Sequence, residues 1–323
     1  MATYTNIQGQ NILIVSSDPA NPTIGQIWYN TTSNTLKGYV ADIGSWATGG
    51  NVITAQYGQA AAGTQTSALM FGGSQAPTTV SQEYDGTTWT TGGTMATGRE
   101  DLAGAGTQTS ALGFGGSTSP FKQTEEYNGT SWTAGGNLAN GVGGGLTGCG
   151  TQTVALATGQ SPTSALTEEY NGTSWTAGGN LATARAFLAA AGTQTLAAAF
   201  GGQTPPGTGS TATEEYDGTS WTAGGNLSVA RRQLGGAGLQ TAALAFGGLV
   251  LSPEFNTGST ESYDGSTWTT LSSMITARRQ LGGCGTQTAG LAASGNPSAG
   301  GGGTTTATEE FTGGNATVTF TTS

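Results

Sequence analysis

The chain contains no histidine among its 323 residues. That removes the commonest general base near neutral pH and the commonest nitrogen ligand of zinc, so the sequence assigns no catalytic residue, metal site or cofactor. Charge is scarce: eight basic and 18 acidic side chains leave the chain at −10, with a pI near 4.2. A surface of that sign is a poor partner for nucleic acid. No run of 18 apolar residues occurs, and no basic segment precedes a long apolar one. Neither a membrane span nor a secretory signal is therefore expected, and an extracellular location is reached by another route, such as release in a particle.

What the chain has instead is glycine, 58 residues of it, and a repeat. A block of about 43 to 47 residues returns six times, most plainly as EEYNGTSWTAGGNLATARAFLAAAGTQTLAAAFGG from Glu168 to Gly202. Tryptophan recurs at Trp46, Trp89, Trp132, Trp175, Trp221 and Trp268, and a GTQT element (once GLQT) at Gly63, Gly106, Gly150, Gly192, Gly238 and Gly285. A unit of this size cannot bury a hydrophobic face alone, and stacked units of this period form solenoids or propellers. Five residues before five of the tryptophans stand Tyr84, Tyr127, Tyr170, Tyr216 and Tyr263, each followed by Asp-Gly or Asn-Gly. Asx-Gly between short β-prone runs predicts a tight hairpin with a type I′ turn. Asp and Asn alternate at this position (Asp85, Asn128, Asn171, Asp217, Asp264), so the turn requires the shape of Asx and not its charge. Two further strands flank GTQT, the second ending in Gly-Gly, which makes four strands per repeat and one blade of a β-propeller.

The Gly-Gly, the Tyr and Trp spaced a few residues apart, and an Arg about ten residues after Trp (Arg99, Arg185, Arg231, Arg278) resemble the kelch repeat over roughly residues 46–316. Departures are Thr158-Gly159 and Ser294-Gly295 in place of the double glycine, and the absence of Arg from the first and third copies. The resemblance implies an all-β, six-bladed propeller of four-stranded antiparallel blades. Kelch-type galactose oxidase holds copper through histidine, which this chain lacks, so an enzyme is not expected. In the sixth copy Ala316 stands where Trp belongs, and Trp46 is left over at the start. Closure of the sixth blade by the strand of Trp46 is expected, and it removes an open sheet edge. The alternatives are an outer strand at 317–320 with a seventh, irregular blade from residues 11–48. Cys149 and Cys284 take one repeat position, filled elsewhere by alanine, in copies three apart, so both read as small buried residues beyond disulfide reach.

The copies differ mainly between strands two and three. From the second Gly to the following aromatic the separation is 11 residues in copies one to three (Gly73 to Tyr84), then 14, 15 and 16 (Gly202 to Tyr216, Gly248 to Tyr263, Gly295 to Phe311). These loops share one face with the connections between blades, and they carry Pro77, Pro120, Pro162, Pro205, Pro206, Pro253 and Pro297. The candidate ligand-binding residues are Phe121, Leu249, Leu251 and Phe255 in the loops and Arg99, Arg185, Arg231 and Arg278, expected to ring the channel mouth where an anionic glycan or a protein would meet charge and apolar contact. The competing reading pairs these arginines with third-strand glutamates such as Glu126 and Glu215.

Residues 19–46, with GQIWYNTTSNTLK from Gly25 to Lys37 and a following Tyr and Trp, resemble hairpins of tailed-phage fibre and other virion proteins. The expected domains are an attachment segment, 1–45, and the propeller, 46–323. The resemblance implies a non-enzymatic phage virion protein of fibre, tail or capsid-decoration type, present in multiple copies per particle. It would dock to other virion proteins through the N-terminal segment and display the propeller to a host-surface glycan or protein. The alternative is a secreted or cell-surface bacterial binding module.

Overall fold

The computed structural model describes residues 12–23, 25–75, 78–119, 121–141, 143–298 and 303–320, so Pro77 and Pro120 lie outside the described residues. The chain divides into two compact units: Met1–Gly44 with Gly313–Ser323, and Ser45–Thr312. The C-terminal segment thus groups with the N-terminal residues and not with the repeats.

Each repeat makes four short strands, a to d in chain order. In the first copy they are Ala60–Thr64, Ser67–Phe71, Ser81–Tyr84 and Trp89–Thr91, antiparallel throughout. Strands a of the next copies are Ala103–Thr107, Thr147–Gly150, Ala189–Gly192, Gly235–Leu239 and Gly282–Gly285. These first strands neighbour one another in cyclic order, the sixth against the first, which is the arrangement of a β-propeller. In the sixth sheet Ala289–Ala293 is followed by Thr308–Phe320, and the next strand outward is Thr35–Thr48, which carries Trp46. Trp46 lies in one cluster with Phe311, and residues 27–48 form no separate sheet.

The last four residues of each b strand are buried, as Ala68 to Phe71 show, because each has a neighbouring sheet on both faces. Small residues of strands a let the sheets converge: a Cβ on Gly148 would meet the Phe114 ring at 2.3 Å. The Asx-Gly turn differs from the expected type I′. Tyr84 pairs with Trp89, leaving a four-residue loop in which Gly86 has φ +91° and Asp85 does not have a positive φ. Asp85 Oδ1 accepts from the N–H groups of Thr87 (2.8 Å) and Thr88 (2.7 Å), and Asn128 does the same for Thr130 (3.0 Å) and Ser131 (2.9 Å). One acceptor oxygen suffices, so either Asx serves. Where it is an acid, these donors hold the carboxyl low, down to about 2 at Asp264.

Three side chains fasten each of the first five sheets to the preceding one, and two of the three recur in the sixth. Trp Nε1 donates to a c-strand hydroxyl: Trp89 to Thr308, Trp132 to Ser81, Trp175 to Thr124, Trp221 to Thr167, Trp268 to Thr213 and Trp46 to Thr260, all at 2.9–3.0 Å. The Gln of GTQT donates to two carbonyls of the preceding sheet, as Gln240 does to Ala197 (3.2 Å) and Tyr216 (2.7 Å), and Gln65 to Gly290 (3.2 Å) and Phe311 (2.6 Å). Tyr hydroxyls donate to Glu Oε1: Tyr127 to Glu83 (2.5 Å), Tyr170 to Glu126 (2.6 Å), Tyr216 to Glu169 (2.6 Å), Tyr263 to Glu215 (2.7 Å), and Tyr84 to Glu310 (2.6 Å) across the junction of first and sixth sheets. Burial first, and then the bond to Glu169, pushes the Tyr216 phenol up to about 12. At the sixth junction Phe311 replaces Tyr, and in the fifth sheet Ser262 replaces the glutamate that would have received its hydroxyl. The pair is lost as a pair.

The terminal unit is organised by Asp18. Ile27–Asn30 pairs antiparallel with Thr35–Thr48 from Ile27↔Gly38 to Asn30↔Thr35, and parallel with Leu13–Val15. Asp18 accepts from Trp28 Nε1 (3.0 Å), Asn30 Nδ2 (2.7 Å) and Lys37 Nζ (2.6 Å), which hold its carboxyl near 2.

Removing one hydroxyl should leave a carboxylate oxygen without its donor. Tyr216→Phe is expected to cost about 1–2 kcal/mol and lower Tm by a few degrees. In a Glu169→Ser background the same change should cost less than half as much, as at Phe311 and Ser262. Equal costs in the two backgrounds, measured by thermal melting, would contradict the coupling.

Candidate functional site: the collar of the propeller channel

The connection leading into strand a places the four repeat arginines, and it places them inside. Arg99 Nη1 donates to the carbonyls of Gly115 (2.9 Å) and Gln123 (2.8 Å), and Nη2 to Glu125 (3.0 Å). Arg185 repeats this with Gly201, Ala212 and Glu214, and Arg231 with Gly247, Ser259 and Glu261. Arg278 pairs with Glu309. All four are 0% exposed, and burial pulls each guanidinium below its ordinary value against the raising effect of its glutamate. They do not ring the channel mouth. Each ties the end of strand b to strand c, and the partner is Glu125 or Glu214, one residue before the expected Glu126 and Glu215, which hold tyrosine hydroxyls instead. Where Arg is missing the partner is either replaced or left with backbone donors alone. In the first copy Gln82 replaces the glutamate and exchanges two 2.9 Å bonds with the backbone of Thr54; in the third, Glu168 accepts from the N–H groups of Ala139 (2.7 Å) and Asn140 (2.9 Å).

The loop residues also separate. Leu249–Leu251 pairs with Glu254–Asn256 in a small hairpin; Leu249 is buried, Leu251 half-buried and Phe255 43% exposed. Phe121, half-buried, belongs to the second copy, three repeats away.

Two residues beyond each arginine position stands a ring that sequence reasoning missed. Gly58, Asp101, Gly145, Phe187, Gln233 and Gln280 all have φ between +50° and +75°. Their backbones form a closed cycle in which each N–H donates to the carbonyl of the previous member. Asp101 donates to Gly58 (2.7 Å), Gly145 to Asp101 (2.9 Å), Phe187 to Gly145 (2.7 Å), Gln233 to Phe187 (2.8 Å), Gln280 to Gln233 (2.9 Å) and Gly58 to Gln280 (2.9 Å). The left-handed conformation is what turns each N–H around the axis. It is unstrained for Gly58 and Gly145 and costs of order 1 kcal/mol or more at each of the other four. The signal was available: a column of the repeat holding Gly twice, beside Asp, Phe and Gln, marks a positive φ.

This collar bounds a cavity of about 80 Å³, lined also by Gln59 after Gly58 and by the leucines that follow the other five collar residues, among them Leu102 and Leu234. A deeper cavity of about 150 Å³ continues along strands a. Asp101 is the acid of the collar; it accepts from Gln280 Nε2 at 3.0 Å, and burial raises its carboxyl from 3.8 to about 6. Phe187 lies over Gly145 and under Arg232, whose Cζ is 6.0 Å from the ring centre. At the opposite end of the channel Cys149 and Cys284 are free and buried, and burial pushes both thiols up to about 12, far from the thiolate that nucleophilic or redox work requires. Among the described residues no group of three His, Cys, Asp or Glu side chains is placed to hold a metal.

Two stability measurements follow. Arg231→Gln alone should destabilise by roughly 3–5 kcal/mol, because Glu261 stays buried without its partner, and adding Glu261→Gln should recover much of that, as Gln82 does in the first copy; a double variant no more stable than the single one would contradict the pairing. Asp101 binds its proton more tightly folded than unfolded, so it lowers stability as pH rises from about 4 to about 6 and keeps it lowered above. Asp101→Asn should therefore stabilise by about 1–2 kcal/mol at pH 7 and by less at pH 4, with Asn also tolerating the left-handed backbone. Equal gains at both pH values in urea unfolding would show that titration plays no part.

No family model matches the chain and no curated protein matches it in sequence. Among the solved structures that match is one titled "Structure of YjhT", similar at 14% identity over 80% of this chain and 95% of that one, with a TM-score of 0.67. At that identity the likeness shows the fold alone, and the fold is a β-propeller.

Proposed function

We propose that the chain is a non-enzymatic structural protein of a phage virion, fastened by its terminal unit and displaying a kelch-type propeller for host-surface attachment or particle decoration. The observation that carries this reading is the division of labour along the chain. The described residues before and after the repeats, within 12–44 and 313–320, fall in one compact unit, built around the hairpin that resembles virion proteins and fixed by the Asp18 contacts. All six repeats, with their loops of unequal length, fall in the other unit. Attachment and display then belong to different units. Buried arginines, high-pKa thiols and a chain without histidine agree with a binding role over a catalytic one. Mass spectrometry of purified particles should find the chain in many copies per particle. A chain missing from particles and recovered from the medium or the bacterial surface would overturn this reading in favour of a free binding module.

A further inference from the structure

The collar carries a cost that the fold does not require. Two of its six positions are glycine, so the hydrogen-bonded cycle forms without side chains, yet Asp101, Phe187, Gln233 and Gln280 hold side chains there on a left-handed backbone. Non-glycine residues in that region persist where something other than local stability keeps them. Their polar atoms are also unevenly matched. Gln233 Oε1 is buried without a hydrogen-bond partner, and so is Oε1 of Gln59 in the same cavity wall, although Gln59 Nε2 donates to the Ala293 carbonyl at 3.0 Å. The Gln280 amide reaches only one carboxylate oxygen of Asp101. The collar thus offers acceptors that await donors.

The nearby cations are already committed. Arg232 donates to Gln203 and stacks on Phe187, only its buried Nε lacking a partner, and Arg279 donates to Asn256 at 3.2 Å. An anion would find the Asp101 carboxylate and no open guanidinium, which weighs against the anionic glycan expected from the sequence. A donor-rich, uncharged ligand fits: hydroxyl groups for the three acceptors and a C–H face for the edge of the Phe187 ring. The collar cavity of about 80 Å³ is the space that the edge of such a ligand would enter.

We propose that the collar is a binding site for a neutral saccharide, which inserts the edge of its terminal sugar so that its hydroxyls donate to Gln233, Gln59 and Asp101 while Phe187 supports its apolar side. This names a ligand class for the display reading above and rests on that reading only for its biological use.

The test uses the isolated full chain and saturation-transfer NMR with glucose, galactose, mannose and N-acetylglucosamine, with glucuronate as the anionic control. At least one neutral sugar should receive saturation and glucuronate less. Gln233→Gly and Phe187→Gly should each weaken that binding about tenfold while leaving Tm unchanged or higher, since glycine relieves the backbone. Binding of none of the neutral sugars, preference for glucuronate, full affinity in both glycine variants, or a Tm lowered by them would each overturn the proposal. A chain that binds a neutral sugar but is missing from particles overturns the virion reading alone, and one present in particles that binds no neutral sugar overturns this site alone.

Discussion

The junction between adjacent sheets is the interaction on which everything else depends. A four-stranded sheet of glycine, alanine and threonine buries too little surface to stand alone, and its faces are closed by its neighbours. Packing of Phe, Tyr and Trp across the junction supplies the bulk of the attraction, one buried aromatic being worth at most about 4–6 kcal/mol. The three hydrogen bonds from Trp, Tyr and Gln add little net energy but fix the register, because a slipped sheet would leave buried donors without acceptors. The same contacts run from the sixth sheet to the first, so no sheet is left as an end.

Charge obeys the same economy. Four of the buried glutamates are paired with arginine, and two substitutions fall on both members of a contact together: Gln82 with the loss of Arg in the first copy, Ser262 with Phe311 between fifth and sixth. Glu168, which has no guanidinium, keeps the two backbone N–H donors that Glu309 has in addition to its arginine. A buried carboxylate without some such donor would be among the costliest features available to this chain.

How much of this was legible follows from what a repeat can display. The period, the four strands, the burial of the aromatics and the role of Trp46 could be read because each rests on a residue type that recurs at fixed spacing. Arginine misled for the opposite reason. A basic residue at the mouth of a channel suggests a ligand, and only the position of Glu125 relative to Glu126, which face opposite sides of one strand, decides that the charge is turned inward. The Asx-Gly turn was correct in place and wrong in type, since a side-chain acceptor substitutes for a second positive φ. The collar was invisible to any search for shared residues, because what its members share is a backbone angle; the column that mattered was the one where the copies disagreed.

The sixth sheet takes its fourth strand, Thr35–Thr48, from ahead of the first repeat. Trp46 must wait for Phe246, Thr260 and Phe311 before its indole has its packing partners and the hydroxyl it donates to. During synthesis from the N-terminus, the early repeats can therefore pair with one another as they emerge, but the circle has no seam to close until the last repeat is made. Loop closure over more than two hundred residues is slow relative to the pairing of adjacent repeats. Completion of the circle is then the step that removes both open sheet edges at once.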